Sequence, residues 1–237
     1  MLKMQSPVVA LCVLLAGPLA CGEWEQSPCA DQVTDGGTGG ADGGTGGADA
    51  GTGDTDGGTI PPGAKRIFVT YSPYGGNLGG IHGADFKCQI DSNRPTGGSY
   101  KALLSDGTTR IACTTADCAV GGKAENIDWV AQPDTLYIRP DGTRIGTTTA
   151  AGIFRFPLAN SFGNEDGSNP GFEAWMGMNK EWTSSSRHCK GWTNSASYWD
   201  PDAAIGDRGI PSMTDRYVLQ NTGAYCDILS PLVCVEQ

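Results

Sequence analysis

The chain has 237 residues, of which 36 are glycine and 9 cysteine, and carries a formal charge of −10; with its glycine-rich stretch set aside, it has room for about one globular domain. The charge speaks against nucleic acid and heparin-like polyanions as partners, because binding them requires a basic footprint that displaces counterions. Nine cysteines against two histidines, His82 and His188, point to disulfides and not to a zinc cluster.

In chain order, residues 1–20 open with Lys3 and carry the apolar run Pro7 to Ala16, long enough for a signal peptide and short for a membrane span. The segment ends Gly17-Pro18-Leu19-Ala20-Cys21, which resembles the bacterial lipoprotein signal and implies lipidation of Cys21; cleavage by the ordinary signal peptidase is the alternative. Acyl chains on Cys21 would fasten the protein to a membrane without a spanning helix. Residues 21–64 read as a disordered acidic tether: Gly36 to Gly58 holds twelve glycines in twenty-three residues, and Asp-Gly-Gly-Thr-Gly-Gly-Ala occurs at 35–41 and again at 42–48. Within it, Asp54-Thr55-Asp56-Gly57 looks like the start of a calcium loop but lacks the closing bidentate acid, and Cys29 has no evident partner.

The globular domain is expected over 65–237. Ile67 to Tyr71 is β-branched and aromatic and is stopped by Ser72-Pro73, so it predicts a strand. Gly75 to Gly83 is a glycine-dense loop entering a short helix, on which Ile81, Ala84, Phe86 and Cys88 fall near helical spacing with Asp85 and Lys87 outside. Ser99 to Gly107 is a second apolar segment ending at a turn. Cys113 and Cys118 suit a small local disulfide. Ile127, Trp129, Leu136 and Ile138 suggest buried positions, Asp141-Gly142 a hairpin turn, and Ile153 to Pro157 a further strand, before a long polar loop over 160–171. The last third gathers Trp175, Trp182, Trp192, Tyr217 and Tyr225. For the tryptophans, burial in a core is the expected use and a carbohydrate platform the alternative.

Gly80-Ile81, Gly83-Ala84-Asp85-Phe86 and Cys88, continued by Gly97 to Ser105, resemble the opening of the endostatin domain of collagens fifteen and eighteen. Trp175 with Gly177, Cys189 with Trp192, and Cys226 to Glu236 follow in that family's order. The chain is also similar to bacterial exported proteins, many of them lipoproteins, that carry such a domain without an assigned function. The resemblance implies an α+β, C-type-lectin-like fold: a twisted antiparallel sheet, two flanking helices, and chain ends meeting in adjacent strands. It also implies nested disulfides, Cys88 with Cys234 and Cys189 with Cys226, leaving Cys113 with Cys118 as an addition.

Gln132-Pro133-Asp134 imitates the calcium-holding triplet of sugar-binding C-type lectins. It lacks the carboxylate partners that a six- to eight-oxygen site needs, so calcium-dependent sugar binding is only a lesser alternative. The histidines of endostatin's zinc site have no counterpart between Lys65 and Ile81, and residues 65–237 hold fifteen basic and eighteen acidic side chains with no basic run. No heparin affinity, metal or cofactor is expected. A nucleophile with its base, paired acids or a phosphate loop is not evident, so the chain does not read as an enzyme. The expectation is a lipid-anchored module of the bacterial cell envelope that binds an extracellular protein or glycan. Trp182, Tyr198, Trp199, Asn164, Glu165 and Asp166 are its candidate surface, and a structural lipoprotein with no external ligand is the alternative.

Overall fold

Ile67 and Phe68 are both buried in the first strand of the computed structural model, which describes residues 60–163 and 172–237, all within one unit running from Thr52 to Gln237. The strands are β1 (Lys65–Val69), β2 (Tyr100–Ala102), β3 (Leu136–Ile138), β4 (Arg144–Thr147), β5 (Ala174–Trp175), β6 (Ile205–Gly209), β7 (Thr222–Tyr225) and β8 (Val233–Glu236). The helix α1 spans Gly80–Ile90. The fold is α+β with three disulfides.

The sheet differs from the single antiparallel one expected. Five strands run in the order β2-β8-β1-β3-β4, and a separate antiparallel sheet has the order β5-β6-β7. Within the larger sheet β1 is antiparallel to β8 but parallel to β3, with Lys65 facing Tyr137 and Arg66 facing Ile138. A long crossover separates β1 from β3, which is what a parallel pairing requires. The two ends of the domain meet as expected: Ile67 pairs with Val235 and Phe68 with Cys234. Arg66 reinforces the join, its Nε and Nη2 each donating to the Glu236 carboxylate at 2.9 Å. The Asp141-Gly142 turn links β3 to β4, with Gly142 at φ 89 and its N–H donating to the Arg139 carbonyl at 3.0 Å.

The glycine-rich entry to α1 forms because Gly79, at φ 83, turns the chain into the helix in a left-handed conformation that a Cβ disfavours. Ile81, Ala84 and Cys88 make the buried stripe. Phe86, expected among them, is exposed instead, because a helical repeat puts the stripe's remaining position at 85. Asp85 occupies that position because Arg110 meets it there.

Arg110 is completely buried; its Nη1 and Nη2 donate to the two Asp85 oxygens at 2.7 and 2.8 Å. Nη2 also donates to Asp128 at 2.5 Å and Nη1 to the Ala102 carbonyl at 3.0 Å, so one guanidinium ties α1 to β2 and to the loop before β3.

The second flanking helix is not formed among the described residues. Cys189–Trp192 is one turn, with Lys190 at φ 53 and Gly191 at φ 71 breaking the right-handed path. The strand expected over Ile153 to Pro157 is absent too. Ile153 and Phe154 are both buried as neighbours, which the alternation of a half-buried strand does not allow; they fill the core while the Phe154 carbonyl accepts from Trp182 Nε1. Ile127, also expected inside, is exposed, and Trp129 is half-buried.

Apolar residues form two clusters. One gathers Tyr137, Phe154, Phe162 and Trp182; the other gathers Ile81, Trp175, Trp192 and the four cysteines of the long bridges. The bridges are Cys88–Cys234, Cys189–Cys226 and the local Cys113–Cys118. Gly76 lies directly against the Cys189–Cys226 bridge, where a Cβ would collide with Cys189 Sγ and Cys226 Cβ. Disulfides of this kind persist in oxidising surroundings, so the protein is of the exported type. Among the described residues no helix is long and apolar enough to cross a membrane.

Candidate functional site

The turn Ser197-Tyr198-Trp199-Asp200 is built by its own polar ends. Ser197 N and Oγ donate to Asp200 Oδ2 at 2.6 and 2.9 Å, and Asp200 N donates back to the Ser197 carbonyl at 3.1 Å. With the polar residues closing the loop, the two aromatic rings between them point outward. Trp199 is 87% exposed and Tyr198 58%.

The rings nonetheless have fixed places. Tyr198 meets Trp199 edge-on at 4.8 Å and Tyr225 of β7 edge-on at 5.1 Å. Ile205 of β6 pairs directly with Tyr225, which puts both side chains on one face of the small sheet. Asn194 anchors the far side: its Nδ2 donates to Asp202 Oδ2 at 3.0 Å, and its Oδ1 accepts from Ala196 N at 2.9 Å. The result is an exposed aromatic platform on a sheet edge, braced by ring contacts and by a hydrogen-bonded loop.

Trp182, expected on such a surface, is fully buried and lies elsewhere. Its ring stacks on Phe156 at 5.8 Å and meets Trp129 edge-on at 6.0 Å. With its indole N–H already satisfied by the Phe154 carbonyl at 3.1 Å, it is a core residue. Trp175 and Trp192 are likewise buried, donating to the carbonyls of Tyr74 and Ser105. Asn164, Glu165 and Asp166, together with Cys21 and Cys29, lie outside the described residues. Of the expected surface, the structure therefore brings together Tyr198 and Trp199 and adds Tyr225, which the sequence showed only as one of the aromatics of the last third.

The polar residues weighed in the sequence have local structural tasks. In Gln132-Pro133-Asp134, Gln132 N donates to Tyr137 Oη at 2.8 Å, and the Gln132 carbonyl accepts from Thr148 Oγ1 at 2.5 Å. Asp134 N donates to the Thr149 carbonyl at 3.1 Å, so the triplet shapes the entry to β3. Burial pushes the Tyr137 phenol up to about 12. His188 Nδ1 accepts from Gly191 N at 2.8 Å, and His82 is exposed on α1. Among the described residues no group of three or more His, Cys, Asp and Glu side chains is placed to hold a metal ion.

A second feature is an open cleft of about 780 Å³ between the Cys113–Cys118 loop, the 149–156 segment and Arg216. Its loop wall is organised by Glu125. The carboxylate accepts from Thr114 N and Thr115 N at 2.8 and 2.6 Å, from both threonine hydroxyls, and from Gly121 N at 2.7 Å. These bonds, that from Gly121 N foremost, hold its carboxyl at about 2 against an ordinary 4.5. A depressed carboxyl contributes stability that is complete above its unfolded value and is lost as pH falls through its folded one. Wild type is therefore expected to lose stability between pH 4.5 and 2 more steeply than Glu125→Gln does. Urea unfolding of both proteins across that window checks this, and equal slopes would contradict it.

No curated protein matches the chain. A family model described as "Protein of unknown function (DUF1554)" matches residues 71–207, more than half of the chain, from just after β1 through the aromatic turn and into β6. The chain belongs to the family of that description, DUF1554.

Proposed function

We propose that this protein is an exported binding module, anchored to the bacterial cell envelope by lipid on Cys21 and carried on the 21–64 tether, that recognises an extracellular protein or glycan without calcium. In this reading the 65–237 domain is endostatin-like with a C-type-lectin-like fold. Supporting it are the pairing of β1 with β8, the Cys88–Cys234 and Cys189–Cys226 bridges, and the helix entered from a glycine loop. The observation that carries the function is Trp199. A tryptophan left 87% exposed, yet held in a ring contact by a hydrogen-bonded turn, costs solubility and adds nothing to the core. Indoles so placed are the side chains on which protein and sugar partners bury most area.

The test is a glycan and matrix-protein array probed with the full chain, with calcium and with chelator. Binding that persists in chelator and falls about thirtyfold or more in Trp199→Ala is expected, since a central interface tryptophan contributes about 2 kcal/mol or more. The substitution should leave the melting temperature nearly unchanged because the ring is outside the core. Silence on both arrays, or binding indifferent to Trp199, would retire the proposal.

A further inference from the structure

Many of the domain's cations are paired with carboxylates, but two of the three that line the cleft are not. Arg66, Arg110 and Arg208 are all paired with carboxylates. Lys123 and Arg155 line the cleft exposed, and neither side chain has a hydrogen-bond or carboxylate partner among the described residues. Arg216, the third cation, donates from Nη1 and Nη2 to the two Asp117 oxygens at 3.0 and 2.8 Å and from Nη1 to the Lys180 carbonyl at 2.7 Å. It lies 5.6 Å from the centre of the Phe156 ring, which stacks on Trp182. Arg216 thus sits between an acid and a partly buried aromatic. Asp117 is the acidic side chain lining the cleft, so three cations face one anion there, in a chain whose formal charge is −10.

The floor is apolar, made by Ala151, Ile153, Phe154 and Phe156. The volume, about 780 Å³, is within the span of small-ligand sites, which pair an apolar lining with a few placed polar groups. From this we infer that the cleft is a binding site for a small organic anion, a carboxylate carried on an apolar body, with Arg155 and Lys123 taking the carboxylate and the floor taking the body. An arginine fork matches a carboxylate geometrically, and a lysine lining the same cleft can add a second charge-assisted bond. A polyanion would not substitute, since the cleft offers two free cations and the chain as a whole carries a formal charge of −10, which repels a long strand of charge. The site shares no residue with the Tyr198–Trp199–Tyr225 platform and stands or falls separately from it.

The experiment is saturation-transfer NMR on the full chain with benzoate, with neutral benzamide of the same shape, and with inorganic phosphate. Benzoate is expected to bind at millimolar concentration, about tenfold more tightly than benzamide, and to lose about tenfold in Arg155→Gln and again in Lys123→Gln, one charge-assisted bond each. Both substituted side chains are exposed and unpartnered, so the melting temperature should not move, and Trp199→Ala should bind benzoate as wild type does. Equal binding of benzamide, phosphate binding as well as benzoate, indifference to both substitutions, or no benzoate signal would each overturn the assignment.

Discussion

Arg110→Met is expected to lower the free energy of unfolding by about 3–5 kcal/mol, the usual cost of removing one partner from a buried ion pair. The arginine has no exposed surface and the Asp85 side chain is mostly buried, 17% exposed, so deleting the guanidinium leaves its carboxylate with the Ala102 N–H, 2.9 Å away, as its remaining bond among the described residues. Burial works against the charge on Arg110, and its bonds to Asp85 and Asp128 more than offset that, raising its pKa above the ordinary value. Asp128 is better placed to survive the loss, being part-exposed and also bonded to Lys101 at 2.8 Å. The double variant Arg110→Met/Asp85→Leu should therefore recover a substantial part of the loss, because a well-packed apolar pair can replace a buried ionic one at little cost. Urea unfolding at neutral pH measures both. A single-variant loss below about 1 kcal/mol would place Arg110 among ordinary surface pairs and remove it as the joint between α1 and β2.

Replacing Cys88 and Cys234 together by alanine is expected to cost about 5 kcal/mol, and replacing Cys189 and Cys226 about 4, from the denatured-state entropy that loops of 146 and 37 residues release. For a domain of this size that is a fall of about 10–20 °C in melting temperature for the outer bridge. The Cys113–Cys118 pair closes only 5 residues and should matter less, about 2 kcal/mol. All six sulfurs are essentially buried, so dithiothreitol reaches them only when the structure opens. Melting scans with and without reductant should therefore separate widely, while native protein at room temperature reacts slowly. Coincident scans would contradict the account.

What the sequence revealed depended on the range of the signal. The glycine loop and helix at 75–90 were legible because backbone freedom and a 3.6-residue stripe are local properties; Phe86 and Asp85 exchanged places, since nothing local says that a carboxylate takes the stripe's fourth place. Trp182 and Trp199 look alike in the sequence. They part company because one indole finds the Phe154 carbonyl across the core and the other sits in a turn closed by Ser197 and Asp200. The strand expected at Ile153 to Pro157 failed for a similar reason: a short run with three large apolar residues around Arg155 fits a strand or a core-filling loop equally, and Pro157 supplies no N–H for a ladder. The cleft was invisible to a search for basic runs. Lys123, Arg155 and Arg216 are far apart in the chain and converge only in three dimensions.

The covalent tie between residues 88 and 234 has a mechanical consequence. A pull applied from the N-terminal side of Lys65, as a tethered module would feel when its partner is dragged away, loads β1 and α1 first. Once those have peeled, the stretch from 65 to 88 can pay out about 80 Å at full extension, and there the sulfur link stops it. Everything between the two cysteines, the exposed tryptophan included, remains inside one closed ring of chain, so the grip can outlast the partial unravelling of the handle.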